Sequence, residues 1–163
     1  MKKMILMSTV ALLALSLMII VSPVKAVTKE PYWCHMEFSV IDVPGKLWVS
    51  EEGILHMLDW HWLGSYVGVL GTGTMDVWFA QVSLDLATGE GTFQGAWLIT
   101  ITPQNTLGGY GRGIITGYVF FSGTFMGTHG TGAFEGVKKM GSFSGNMASL
   151  PYIMDAWGTI MYP

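Results

Sequence analysis

Polar and apolar residues alternate along much of this chain with a period of two. From Trp33 to Ile41 the positions Cys34, Met36, Phe38 and Val40 are apolar, and His35, Glu37 and Ser39 fall between them. Successive side chains of a strand point to opposite faces, so this segment predicts a strand with one buried face. Val43-Pro44-Gly45 reads as a turn, Lys46 to Ser50 as a short second strand, and Glu51-Glu52-Gly53 as another turn. Ile54 to Asp59 is a third strand, which runs into the aromatic-rich bend Asp59-Trp60-His61-Trp62-Leu63-Gly64-Ser65. Tyr66 to Phe79 predicts one long strand with pairing toward Leu84, then a hairpin loop around Asp85 and Gly89. Gly91 to Thr102 is a fifth strand, stopped by Pro103, and Pro103 to Gly111 reads as an exposed loop. Gly113 to Thr128 is a sixth, with Ile115, Gly117, Val119, Phe121, Gly123 and Phe125 on one face. Met140 to Met147 and Tyr152 to Tyr162 complete a set of about eight.

The first 26 residues follow a different pattern. Met1-Lys2-Lys3 is basic, Met4 to Val21 is apolar apart from Ser8, Thr9 and Ser16, and Ser22-Pro23-Val24-Lys25-Ala26 ends on a small residue. This is the layout of a secretory signal peptide cleaved after Ala26, with a helical apolar core. The alternative is an uncleaved N-terminal membrane anchor, since the apolar run approaches the ~20 residues that span a bilayer. The chain is thus expected to be exported, as residues 1–26 of leader and 27–163 of a single domain. No further membrane span follows the leader.

Within that domain there are 22 glycines, all after residue 44, together with all seven Trp, eight Phe and six Tyr. Disordered glycine-rich segments lack aromatic and β-branched residues, so this mixture describes strands with bends and close approaches. Up-and-down strands with no helix to cover a face are most stable when the sheet closes and loses its edges. The expectation is an all-β fold, a single antiparallel barrel of about eight strands. Glycines such as 117, 123 and 127 let tightly coiled strands bend around it.

Five basic residues stand against eleven acidic ones after residue 26, a net charge of −6, which argues against nucleic acid or an anionic membrane as partner. The single cysteine, Cys34, cannot close an intrachain disulfide and reads as a small core hydrophobe.

The stretch Gly127 to Gly145 places a glycine at six of nineteen positions. It lacks the second glycine and the hydroxyl of a phosphate loop, and Gly130, Gly132 and Gly136 are spaced one residue too far for a dinucleotide fingerprint. Phe125, Phe134 and Phe143 recur every nine residues and call for burial, which excludes a linker. The remaining reading is a strand, a glycine corner with positive φ, an inward Phe134 and a following strand. The sequence Gly-Thr-Gly-Ala-Phe-Glu-Gly-Val…Gly-Ser-Phe, Gly130 to Phe143, resembles the glycine–phenylalanine corner of the allene oxide cyclase and dirigent-type barrels. That resemblance implies an eight-stranded, calycin-like barrel with an apolar cavity. It also implies an alternative activity, in which an acidic cavity residue steers a reactive intermediate. The early strands do not align well enough to place such a residue, and Glu135, in the corner itself, reads as solvated.

Candidate chemistry is sparse. Trp60 and Trp62 share one face and His61 the other. Trp60, Trp62, Phe121, Phe125 and Phe134 are the candidate walls of an interior ligand site. His35 with Glu37, and Asp59 with His61, are each two apart and form the polar candidates. Facing one another inside the barrel they would make an acid–base or metal cluster; on outer faces they are solvated pairs, and the alternation of the first strand favours the latter. No hydrolase elbow, zinc-enzyme helix or cysteine pair is present, and no metal or cofactor is expected. The sequence therefore points to a barrel that holds an apolar or amphiphilic small molecule rather than making bonds. Its alternatives are the cyclase-like or dirigent-like enzyme and a packed structural module with exposed Trp patches, which would form oligomers.

Overall fold

Alternation becomes a closed sheet in the computed structural model, which describes residues 26–163. Ten strands follow in order: β1 (Thr28–Ile41), β2 (Lys46–Val49), β3 (Ile54–Leu58), β4 (Trp60–Gly68), β5 (Gly71–Asp85), β6 (Gly91–Thr102), β7 (Asn105–Thr116), β8 (Phe120–Gly130), β9 (Lys138–Asn146) and β10 (Tyr152–Tyr162). Eight of them form an antiparallel barrel in which β1 pairs with β4, β4 to β10 each pair with the next, and β10 returns to β1. The predicted all-β, up-and-down barrel is what forms. The remaining strands, β2 and β3, are a hairpin that prolongs the sheet along the end of β5. The signal segment lies outside the described residues apart from Ala26. No described helix is long and apolar enough to cross a membrane.

Aromatic side chains fill this narrow barrel because glycines stand beside them. Phe93 is paired with Gly113, Phe143 with Gly123, Phe121 with Gly145 and Trp97 with Gly109. A methyl group at Gly113 would stand 2.6 Å from Phe93 Cζ, and one at Gly123 the same distance from Phe143 Cζ. The rings take the volume that the missing side chains leave. Each large ring removed from water stabilises the fold by roughly 1.5–3 kcal/mol.

The corner after β8 matches its expectation. Gly132 and Gly136 have φ of 58° and 75°, a 3-10 turn spans Gly132–Phe134, Phe134 is buried and Glu135 exposed. Phe134 and the following Val137 both belong to the buried core, as do Leu107 and Ile160.

Several predicted boundaries are corrected. The supposed bend at Trp60 is the start of β4, which continues β3 in one register on β5; only Asp59, with φ of 54°, separates them. Tyr66 to Phe79 is two strands, reversed at Val69-Leu70 by a turn whose apolar residues gave no polar break. Gly113 to Thr128 is also two strands, and Gly117 lies in their turn. Tyr118 takes φ of 67° in that turn, a conformation rare for a bulky residue. It is held there by its N–H donating to Gly89 O at 3.0 Å and its hydroxyl donating to Leu86 O. The supposed loop from Pro103 is mostly β7, where glycines read as loop-formers instead make room for Trp97. Val40 is exposed, since a bulge after Phe38 breaks the alternation of β1.

Candidate functional site

Strand β9 alternates like the others. Val137, Lys139 and Phe143 are buried, and Lys138 and Met140 are exposed. Parity thus turns a lysine into the barrel. Lys139 is 3 % exposed and is the one buried charged residue among those described. Its neighbours in the sheet are Gly127 on β8 and Ile160 on β10. Its side chain reaches a cavity of about 50 Å³ whose walls include Cys34, Met36, Met75, Trp97, Phe125 and Met154.

No carboxylate among the described residues accompanies the amine. Asp, Glu and His are absent from the described residues lining this cavity. Lys139 Nζ instead donates to Tyr32 Oη at 2.7 Å, and lies 4.1, 4.2 and 5.0 Å from the ring centres of Tyr32, Trp97 and Phe125. Tyr32 Oη donates in turn to Cys34 Sγ at 2.9 Å, with Tyr66 Oη 3.4 Å away. Burial among apolar groups disfavours every charged form here. It lowers Lys139 to about 7, against a small opposing pull from Cys34. The same burial pushes the Cys34 thiol up, opposed by Lys139, and raises both phenols, Tyr66 to about 12. Above about pH 7 the cluster is therefore a neutral amine, thiol and two phenols joined by hydrogen bonds. Two further donors are unmatched: Trp62 Nε1 and Trp97 Nε1 are buried, and neither finds an acceptor among the described residues. Both rings line the cavity.

Of the sequence-predicted walls, Trp62, Phe121 and Phe125 line this cavity. Trp60 is half-buried, packs edge-on against Trp62 at 5.0 Å, and lines a smaller void of about 10 Å³ with Phe121 and Met147. Phe134 sits in the corner turn at the barrel's end and does not line the cavity.

The polar candidates are not brought together. His35 points outward, 2.7 Å from Asp155 and 3.5 Å from Glu37, and the Asp155 hydrogen bond raises its pKa. His61 also lies on the outside, 2.8 Å from Asp42 and 3.0 Å from Asp76, and stacks on Trp78. Partial burial opposes protonation of His61, yet the two carboxylates outweigh it and its pKa is raised. Asp59 is an exposed turn residue without a bond to His61. Among the described residues no His, Cys, Asp and Glu group is arranged to hold a metal.

Sequence reading missed Lys139 and the pairing of Tyr32 with Cys34. A signal was present: counting back by twos from Phe143 through Gly141 reaches Lys139 and then Val137. No protein-family model, curated protein or solved structure matches this chain.

Proposed function

We propose that this protein is an exported barrel that binds a short apolar or amphiphilic molecule in its interior, with Lys139 as the polar anchor. The observation that carries the reading is a buried lysine on the wall of an apolar cavity, with no carboxylate partner among the described residues. Burying such a group without full compensation is costly, and perturbed groups of this kind cluster at functional sites. The unmatched indole N–H groups of Trp62 and Trp97 favour a ligand that carries a hydrogen-bond acceptor.

The cavity limits ligand size. A volume of about 50 Å³ accommodates about three or four waters, equivalent to a molecule of about five non-hydrogen atoms. Long-chain fatty acids and terpenoids exceed it. Met36, Met75 and Met154, unbranched and easily rearranged, supply the compliant part of the wall. Titration of intrinsic Trp emission with butanol, butanal and butyrate tests the proposal. A saturable change with at least one of them supports it, and a flat response to all three removes it.

A cyclase-like or dirigent-like reaction would need a cavity carboxylate, and the described residues lining this cavity include none. Self-association is the second reading. Its support is the exposed neighbouring row Tyr110, Met126 and Met140 on the outer face, with Trp33 paired to Trp157 close by. Sedimentation over a concentration series distinguishes it: a monomer throughout would discard this alternative.

A further inference from the structure

Lys139 differs from an ordinary anchoring lysine in what surrounds it. An amine that binds an anionic ligand is normally cationic and solvated in the empty state. Here the lining is apolar, the residue is 3 % exposed, and the hydrogen-bonded side chains that Nζ joins among the described residues are Tyr32, Cys34 and Tyr66, all proton-bearing. The rings of Trp97 on β6 and Phe125 on β8 cover its other sides, and β10 contributes the apolar Ala156 and Ile160. Such surroundings favour a free lone pair on nitrogen, and a desolvated lysine amine is a nucleophile toward carbonyl carbon.

Resting on the ligand-binding reading above, we infer that the barrel captures short apolar aldehydes covalently and reversibly, as an imine on Lys139. The Nζ lone pair forms the carbon–nitrogen bond while the carbonyl π pair moves to oxygen, giving a carbinolamine after proton transfer. The carbon–oxygen bond then breaks. Both amine protons leave with the aldehyde oxygen as one water, and a carbon–nitrogen double bond remains. No oxidant or reductant is needed.

Each neighbour has a part in that step. Tyr32 Oη, 2.7 Å from Nζ, is placed to hand a proton to the departing oxygen and take one from the nitrogen. Its high proton affinity, a result of burial, keeps it a donor at neutral pH. Trp97, whose ring lies 4.2 Å from Nζ, carries an indole N–H with no acceptor among the described residues, a donor available to the carbonyl oxygen before attack. Cys34, the other nucleophile in the cavity, is held as the unreactive thiol by burial. The room available selects aldehydes of about four carbons. Expulsion of water from so apolar a cavity favours the imine over hydrolysis.

The test is reductive trapping. The folded protein is incubated with butanal near pH 7.5, treated with cyanoborohydride, and mapped by fragmentation mass spectrometry. The expected result is one butyl group per chain on Lys139, formed at least about tenfold faster than on the exposed, solvated neighbour Lys138. Lys139→Met should lose that adduct, whereas butanol, which fills the cavity of the wild-type protein but cannot form an imine, should change its Trp emission and leave no label. If labelling spreads over Lys29, Lys46 and Lys138 and spares Lys139 while butanol still perturbs Trp emission, covalent capture is overturned and ligand binding stands. If neither compound perturbs the emission and Lys139 stays unlabelled, both fall. The wild-type map decides the matter even if the Met variant does not fold.

Discussion

Gly127 on β8 stands directly opposite Lys139 on β9, and a methyl group there would lie 3.0 Å from Lys139 Cγ and 2.7 Å from Trp97 Cη2. The lysine stem and the indole both occupy space that only glycine leaves free. Gly127→Ala should therefore destabilise the fold by about 1–3 kcal/mol, as overpacking does. Gly111→Ala, where the nearest heavy atom is 3.4 Å away, should cost less than about 1 kcal/mol. Denaturant midpoints of the two variants check the contrast.

Lys139→Met should raise stability at neutral pH by about 1–3 kcal/mol, because it replaces a poorly compensated buried polar group with an apolar chain of similar length. A site kept at the expense of stability is expected to behave this way. Thermal unfolding of the variant, compared with wild type at one pH, measures it.

The dependence of stability on pH should carry the same signature. Below about pH 7 the folded and unfolded chains both hold the Lys139 proton, and the cost of burying the cation is constant. Above that point the folded chain has released the proton while the unfolded chain keeps it until 10.5, so stability rises with pH. The limiting slope for one proton is about 1.4 kcal/mol per pH unit. From pH 9.0 upward the Cys34 thiol works against this, since it ionises in the unfolded chain first. The rise between pH 7 and 9 should vanish in Lys139→Met.

His35 and His61 act in the opposite direction. Their folded pKa values are raised, so their stabilising contribution is complete below 6.5 and is lost as pH climbs through the folded values. Both lie at the surface, which keeps the effect small. Replacing either with Ala should flatten that decline and leave any butanol response unchanged, because neither lines the cavity.

Cys34 should resist a thiol reagent such as dithionitrobenzoate in the native state and react only as the chain unfolds. It is 3 % exposed and its thiol is pushed up by burial. Native labelling at the rate of a small-molecule thiol would contradict the enclosed site.

Much of this architecture is legible in the chain, and the exceptions have physical causes. Cys34, Met36 and Phe38 announce the buried face of β1, and Gly132, Phe134 and Gly136 announce the corner before β9. Turns made by Val69-Leu70 and by Gly117-Tyr118 were hidden, because their residues look like strand and the second depends on contacts with the distant Leu86 and Gly89. Glycines opposite aromatic rings resemble loop residues until the pairing of Trp97 with Gly109 is known. Lys139 was obscured for a related reason. A Lys-Lys pair suggests a solvated surface, and only the parity shared with Phe143 shows that one of the two points inward.

A pH titration of the Lys139 side chain, followed by the ¹³Cε and ¹⁵Nζ resonances of the folded protein, examines that inward amine most directly. A midpoint near 7 is the expected result. A midpoint near 10.5, like that of a lysine in water, would contradict the account.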